Sequence, residues 1–403
     1  MPLTTVKADH TSWEGKSRVC VSYLKRRAKQ VVMDNDDEED EFGMKDFGQK
    51  VDLCQRIRDV LINYPEGALL KEMVQNADDA GARTFRVMLD CRAHPTERLI
   101  SPTMAGFQGP ALLTYNDAVF TDTDFESIQH IGGSRKTANE ARTKTGRFGV
   151  GFNSSYHVTD VPCFASRRYA IFLDPHCKHL PNISSAEPGK LINFLKPGLG
   201  ERFADQFEPL KAFGSDFGSE IDGTIFRLPL RTASQAAVSR ISKRACTEAA
   251  AEELVREFAA SMTEASLFLT HIHTLEVSIW KAGDAQPTRL KQLEVRSRAG
   301  RPPQRQRLHE LVSSARHDMA AVPTEEHDIE LRMYSETDHD AWLVAQTMGG
   351  GRARAMCVDT DVLAHGLQPV PWGGVAARIS TSDGGELQVD GRPYCLLPLP
   401  ATT

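Results

Sequence analysis

A chain of 403 residues with 40% hydrophobic and 25% charged residues can bury sizeable cores, and its length corresponds to two or three units of ordinary size. A formal net charge of −6 leaves no chain-wide positive field for phosphate backbones, so nucleic acid is not an expected partner. Eight cysteines with no CxxC pair argue against a zinc cluster or a small disulfide scaffold and suit a reducing, cytoplasmic setting. No apolar run nears the roughly 18 to 20 residues of a bilayer span, and the N-terminus lacks the apolar core of a secretory signal.

The first 45 residues pair a basic stretch (Lys16, Arg18, Lys25, Arg26, Arg27, Lys29) with an acidic run from Asp34 to Glu41. Blocks of like charge repel themselves, so residues 1–45 are expected to form a disordered charged leader. Phe47, Val51, Ile57, Val60 and Leu61 then recur at helical spacing before Pro65-Glu66-Gly67. A second helix is predicted over about Leu69 to Ala80, closed by Gly81. Thr84 to Asp90 alternates as a strand does, with Phe85, Val87 and Leu89 on one side. Further strands are predicted at Leu112 to Tyr115, Tyr169 to Leu173 and Thr224 to Pro229, with helices near Phe125 to Ile131 and Ser154 to Val158. Beyond Arg231 an amphipathic helix carries Leu254, Val255, Phe258, Met262 and Leu267. Strand signals follow at Leu275 to Trp280 and Trp342 to Gln346, separated by an exposed loop around Arg301 to Arg305 and ending in the apolar run Tyr394 to Leu399.

The segment Lys71-Glu72-Met73-Val74-Gln75-Asn76-Ala77-Asp78-Asp79 holds the richest chemistry. On a helix Glu72, Asn76 and Asp79 share one stripe, i, i+4, i+7. An amide oxygen is a hard ligand for Mg²⁺, and a carboxylate a turn away can orient and deprotonate a water. A solvated polar helix face accounts for the same spacing. Gly146-Arg147-Phe148-Gly149-Val150-Gly151-Phe152 lets backbone approach a ligand and precedes a helix start that aims N–H groups at an anion. Glycine in a tight turn is the simpler alternative. Between them, Ile131-Gly132-Gly133-Ser134-Arg135-Lys136 reads as a loop able to fold over phosphates, or as an ordinary mobile loop. His271 and His273 lack acidic or cysteine neighbours at ligand spacing, so they are expected in a strand edge or loop and no protein metal site is assigned to them.

In order, these pieces resemble the ATPase superfamily shared by gyrases, heat-shock chaperones and histidine kinases (GHKL), in the sacsin-type form (Sacsin/Nov domain). Phrases carrying that likeness include Asn76 to Gly81, Tyr115-Asn116-Asp117-Ala118-Val119-Phe120, Phe172 to His176, Pro188 to Phe194, Pro371-Trp372-Gly373-Gly374 and Cys395 to Pro400, across about residues 46 to 400. The resemblance implies an α+β fold, a GHKL-type (Bergerat) two-layer α/β sandwich with a mixed sheet at 46–232. A linker helix and smaller α/β unit would follow at 245–403. It implies ATP and Mg²⁺ as cofactors: Glu72 as the catalytic water-activating group, Asn76 as the magnesium ligand, Asp117 as the adenine reader and Thr224 as its support. Asp79, Gly132, Lys136, Gly149, Val150, Gly151 and Phe152 would complete the nucleotide site. Ala118, Val119 and Phe120 stand where the ninety-kilodalton chaperone has glycines after its aspartate, and the chain stops soon after the second unit, so hydrolysis is expected to be slow or absent. The implied function is an ATP-binding, chaperone-like module with ATP/ADP, seventy-kilodalton chaperones or client proteins as partners. The alternative is a non-hydrolysing interaction scaffold with the same fold. A histidine kinase or topoisomerase would need a phosphoacceptor-histidine helix or a DNA-cleaving tyrosine domain, and no such segment is recognisable.

Overall fold

The computed structural model describes residues 52–63, 65–129, 151–297, 323–335, 339–359 and 370–380, with isolated positions within 307–314 and 394–398. The leader, Gly132, Lys136, Gly149, Val150 and the loop around Arg301 lie outside the described residues.

The fold is α+β, built on one large mixed sheet with helices. Helix α1 (Leu53–Asn63) precedes α2 (Leu69–Asp79), which Gly81 closes in the left-handed conformation at φ 81°. Strand β1 (Thr84–Asp90) follows, then β2 (Ala111–Asn116), α3 (Asp122–Ser127) and a 3-10 segment at Gly151–His157. Strands β3 (Cys163–Arg167), β4 (Tyr169–Leu173), β5 (Gly189–Asn193) and β6 (Ile221–Pro229) complete one side of the sheet. A short helix α4 (Ala233–Val238) leads to α5 (Glu248–Ser266), whose first turn is capped by Thr247 accepting from the Ala250 amide. Strands β7 (Thr274–Trp280), β8 (Thr288–Ser297), β9 (Glu325–Tyr334), β10 (His339–Met348) and β11 (Trp372–Ser380) form the other side.

The strand order is β11-β10-β9-β8-β7-β1-β2-β6-β3-β4-β5. Strand β1 is the pivot: it pairs antiparallel with β2, Phe85 opposite Asn116, and parallel with β7, Thr84 opposite Thr274. A parallel neighbour needs a long crossover, and helix α5 lies on that connection. The strands beyond residue 245 therefore extend the same sheet.

Side-chain parity explains which face carries what. Phe85, Val87 and Leu89 of β1 and Leu112 of β2 share a core with Leu69, Met73 and Ala77 of α2 and Val255, Phe258 and Met262 of α5. The same core continues through Leu275, Val277, Leu331, Met333 and Val344. Each such side chain buried is worth about 1.5 to 3 kcal/mol, so the helix layer is held mainly by this face. The opposite parity, with Cys163, Phe172 and Ile225, joins a second core with Phe107, Phe194, Phe207 and Phe217. Cys54, Cys91, Cys163, Cys177 and Cys246 are free thiols, and no helix among the described residues is long and apolar enough to cross a membrane.

Candidate functional site

Helix α2 buries Leu69, Leu70, Met73, Val74 and Ala77, which leaves Glu72, Asn76 and Asp79 on its other stripe. Burial pushes the Glu72 carboxyl above the ordinary glutamate value, and the like charge of Asp79 adds to the rise. A carboxylate made more basic in this way is better suited to accept a proton from water.

The 3-10 segment that opens at Gly151 passes directly over this stripe. A methyl group added at Gly151 would sit 2.5 Å from Glu72 Oε2 and 3.7 Å from Asn76 Nδ2. A side chain here would have to displace the Glu72 carboxylate. The next residue, Phe152, meets Phe164 and Phe226 with ring centroids 6.4 and 5.8 Å away, which fastens the turn onto β3 and β6. Ser154 Oγ donates back to the Gly151 carbonyl at 2.6 Å. Gly151→Ala should cost no more than about 1 kcal/mol in denaturant unfolding, because the Glu72 carboxylate it would strike ends a flexible side chain that can swing aside. Adding Glu72→Ala should recover most of that loss, and equal losses in the single and double variants would mean that Glu72 is not what the methyl group strikes.

Strands β2 and β6 supply the floor. Leu112 and Thr114 of β2 face α2, Thr114 Oγ1 lying 4.0 Å from Met73 Sδ, and period-2 alternation puts Asn116 on the same face. Asn116 is opposite Thr224 of β6 and only 6% exposed. Its Oδ1 accepts from the Ala118 amide at 3.1 Å. The Thr224 hydroxyl lies 2.8 Å from the Ala118 carbonyl and 3.1 Å from Ser166 Oγ, whose own hydrogen goes to the Gly223 carbonyl at 2.7 Å. Gly223, at φ 140°, passes so near β2 that a methyl group there would lie 2.6 Å from the Asn116 carbonyl.

Asp117 goes elsewhere. Its exposed carboxylate accepts from the backbone N–H groups of Arg83 and Thr84 at 2.7 and 2.9 Å, bracing the entry to β1. Glu72, Asn76, Gly151 and Phe152 are thus brought together, Thr224 lies on the floor strand, and the buried polar side chain opposite it is Asn116. The signal for Asn116 was present in the alternation of Leu112, Thr114 and Asn116, which places residue 117 off the helix-facing side. His271 and His273 lie in the connection to β7, where the His271 amide and ring nitrogen Nδ1 contact Asp78, and among the described residues no metal-ligating cluster occurs.

The oxygens of Glu72 and Asn76 are hard donors of the kind magnesium accepts, and the Gly151 backbone passes close beside them. These residues fit a magnesium-bound anionic ligand.

The family model of the Sacsin domain matches residues 50–292. The human protein Sacsin is 31% identical to this chain over 368 residues, which cover 89% of the chain and 8% of the human protein. The chain therefore spans a small part of the length of the curated relative it matches, and it belongs to the Sacsin-domain family.

Proposed function

We propose that this chain is a nucleotide-binding module with a GHKL-type ATPase fold. It binds Mg·ATP on the face formed by α2, the Gly151 turn and the β2–β6 floor. The observation that carries the reading is the close approach of the Gly151 backbone to Glu72 and Asn76. Two segments distant in sequence, α2 and the turn at Gly151, meet where an amide oxygen and a basic carboxylate can serve a phosphate group. Magnesium, when bound with nucleotide, screens phosphate charge and orients it for attack. Asn76 holds the ion, Glu72 positions and deprotonates water, and Asp79 raises the basicity of Glu72. The segment bearing Gly132, Lys136, Gly149 and Val150 completes the phosphate end. Seventy-kilodalton chaperones, client proteins and a cytoplasmic setting belong to the same proposal.

One observation favours the alternative of a non-hydrolysing scaffold: the Asp117 carboxylate is engaged by the backbone of Arg83 and Thr84. Calorimetric titration of Mg·ATP and Mg·ADP into the full chain, with phosphate release followed in parallel, separates the two. Binding that Asn76→Ala weakens at least tenfold, with turnover lost in Glu72→Gln but binding kept, supports the ATPase module. No binding at millimolar nucleotide leaves the scaffold.

A further inference from the structure

The turn that follows β4 and the segment that follows α4 meet at one imidazole. The Asp174 carbonyl accepts from the Cys177 amide at 2.9 Å, and Asp174 Oδ2 accepts from the amides of Lys178, His179 and Leu180 at 2.8, 2.6 and 3.2 Å. The turn carrying His176 is therefore braced from within. The His176 side chain is 7% exposed, and its Nε2 accepts from the Arg240 amide at 2.9 Å. A ring nitrogen can accept an N–H only when it carries no hydrogen itself, so this contact puts the single ring hydrogen on Nδ1 and requires a neutral imidazole. Ser239 Oγ lies 3.5 Å from the same Nε2, but its hydrogen goes to Asp160 Oδ1 at 3.0 Å and it accepts from the Ile241 and Ser242 amides at 3.1 and 3.2 Å. A hydrogen added to Nε2 would thus meet the Arg240 N–H beside a hydroxyl whose lone pairs are taken.

We propose that His176 is an acid-sensitive latch between this turn and the Ser239–Ser242 segment: the neutral ring holds the Arg240 amide, and a proton on Nε2 releases it. Asp160 and Asp174 face the ring as carboxylates, Lys178 and His179 as bases. Asp160 is engaged by Arg231 and Ser239, Asp174 by the three amides of its own turn, and Arg240 by Asp52. Burial is the largest influence and holds His176 below the ordinary histidine pKa, against the pull of Asp160 and Asp174. The unfolded chain therefore takes up the proton first. The stability that the latch contributes is present above about pH 6.5 and is lost as the pH falls below it through the native value.

Amide hydrogen exchange of the full chain, expressed as protection relative to an unstructured peptide at the same pH, tests this at about pH 7.5 and about pH 5, on either side of the ordinary histidine value. The comparison is His176→Gln, whose side-chain oxygen can accept from the Arg240 amide and does not titrate. Protection of the Arg240 amide should fall at least about tenfold on acidification of the native chain and less than about twofold in His176→Gln, while the amides of Lys178, His179 and Leu180 keep theirs. No fall in the native chain, an equal fall in His176→Gln, or a fall shared by residues 178–180 overturns the latch. Nitrogen NMR of the native chain gives a second reading that needs no variant. Near neutral pH the ring hydrogen should sit on Nδ1, and a hydrogen on Nε2 or a charged ring there overturns the proposal.

Discussion

Replacing Arg231 by methionine should destabilise the chain by about 3 to 5 kcal/mol, measured by urea unfolding, because it leaves a buried carboxylate without its counter-charge. The side chain is fully buried just beyond β6. Its Nε donates to Asp160 Oδ1 at 2.8 Å, and its two terminal nitrogens reach the carbonyls of Tyr156, His157, Thr159 and Arg244 at 2.6, 2.9, 2.8 and 3.3 Å. Ser239 Oγ donates to the same Asp160 oxygen at 3.0 Å. A planar fork with five donors can meet this ring of acceptors and a thioether side chain without donors cannot, so methionine also strands the carbonyls. Arg231→Lys keeps the charge but loses the fork, and should recover only part of the stability. Since Tyr156 and His157 end the turn that begins at Gly151, the damage should also loosen the approach to Glu72 and Asn76. A loss below about 1 kcal/mol would show that the stranded groups find other partners and would overturn this account.

Asp78→Ala should cost about 3 to 4 kcal/mol. Asp78 lies on the buried side of α2, next to the polar stripe. Its Oδ2 accepts from the Thr270 amide at 2.8 Å and its Oδ1 from the amides of His271 and Ile272 at 2.7 and 3.0 Å. Three backbone donors in the connection between α5 and β7 thus depend on one carboxylate, and alanine removes all three acceptor contacts together. Asp78→Asn keeps an oxygen for His271 and Ile272 but turns an NH₂ group toward the Thr270 N–H, so an intermediate loss is expected. Hydrogen exchange at residues 270–272 gives the local readout: these amides should exchange faster in Asp78→Ala even under conditions where the rest of the chain remains protected. Unchanged protection there would show that the carboxylate does not hold this connection.

Much of the architecture was legible wherever one face of an element is apolar and the other is not. The alternation of Phe85, Val87 and Leu89 located Thr84–Asp90, and the glycine at 81 located the end of α2. Helix α5 begins six residues before Leu254, because Thr247 and a run of alanine and glutamate start it without large apolar residues. The predicted helix at Ser154 to Val158 is instead the tail of a 3-10 segment over Gly151–His157, where glycine at its start and two serines weaken α-helical propensity. Strands β3 and β5 gave little signal, since Cys163–Arg167 is rich in small residues and Gly189–Asn193 is half-exposed. Strands β8 and β9 carry charged residues throughout, and their pairing becomes visible only in the ladder.

The helix stripe of Glu72 and Asn76 could be read from spacing alone because i, i+4 geometry is local. Asn116 and Arg231 could not be read in the same way. The role of Asn116 follows from its cross-strand partner, Thr224, and that of Arg231 from carbonyls supplied by a turn more than seventy residues earlier. Side chains whose meaning depends on distant backbone leave little trace in local sequence.

The parallel pairing of β1 with β7 bears on synthesis. Because Thr84 must find Thr274 across the whole intervening chain, the central ladder cannot close until the segment through Trp280 has left the ribosome. The carboxylate of Asp78 waits for the same segment, since all three of its backbone partners lie at residues 270–272. A nascent chain halted before β7 would hold β1 without its parallel neighbour and α2 without its fastening. Ribosome-bound fragments ending near residue 240 should therefore be cleaved by protease within α2 and β1, whereas fragments extending past residue 300 beyond the exit tunnel should be protected there.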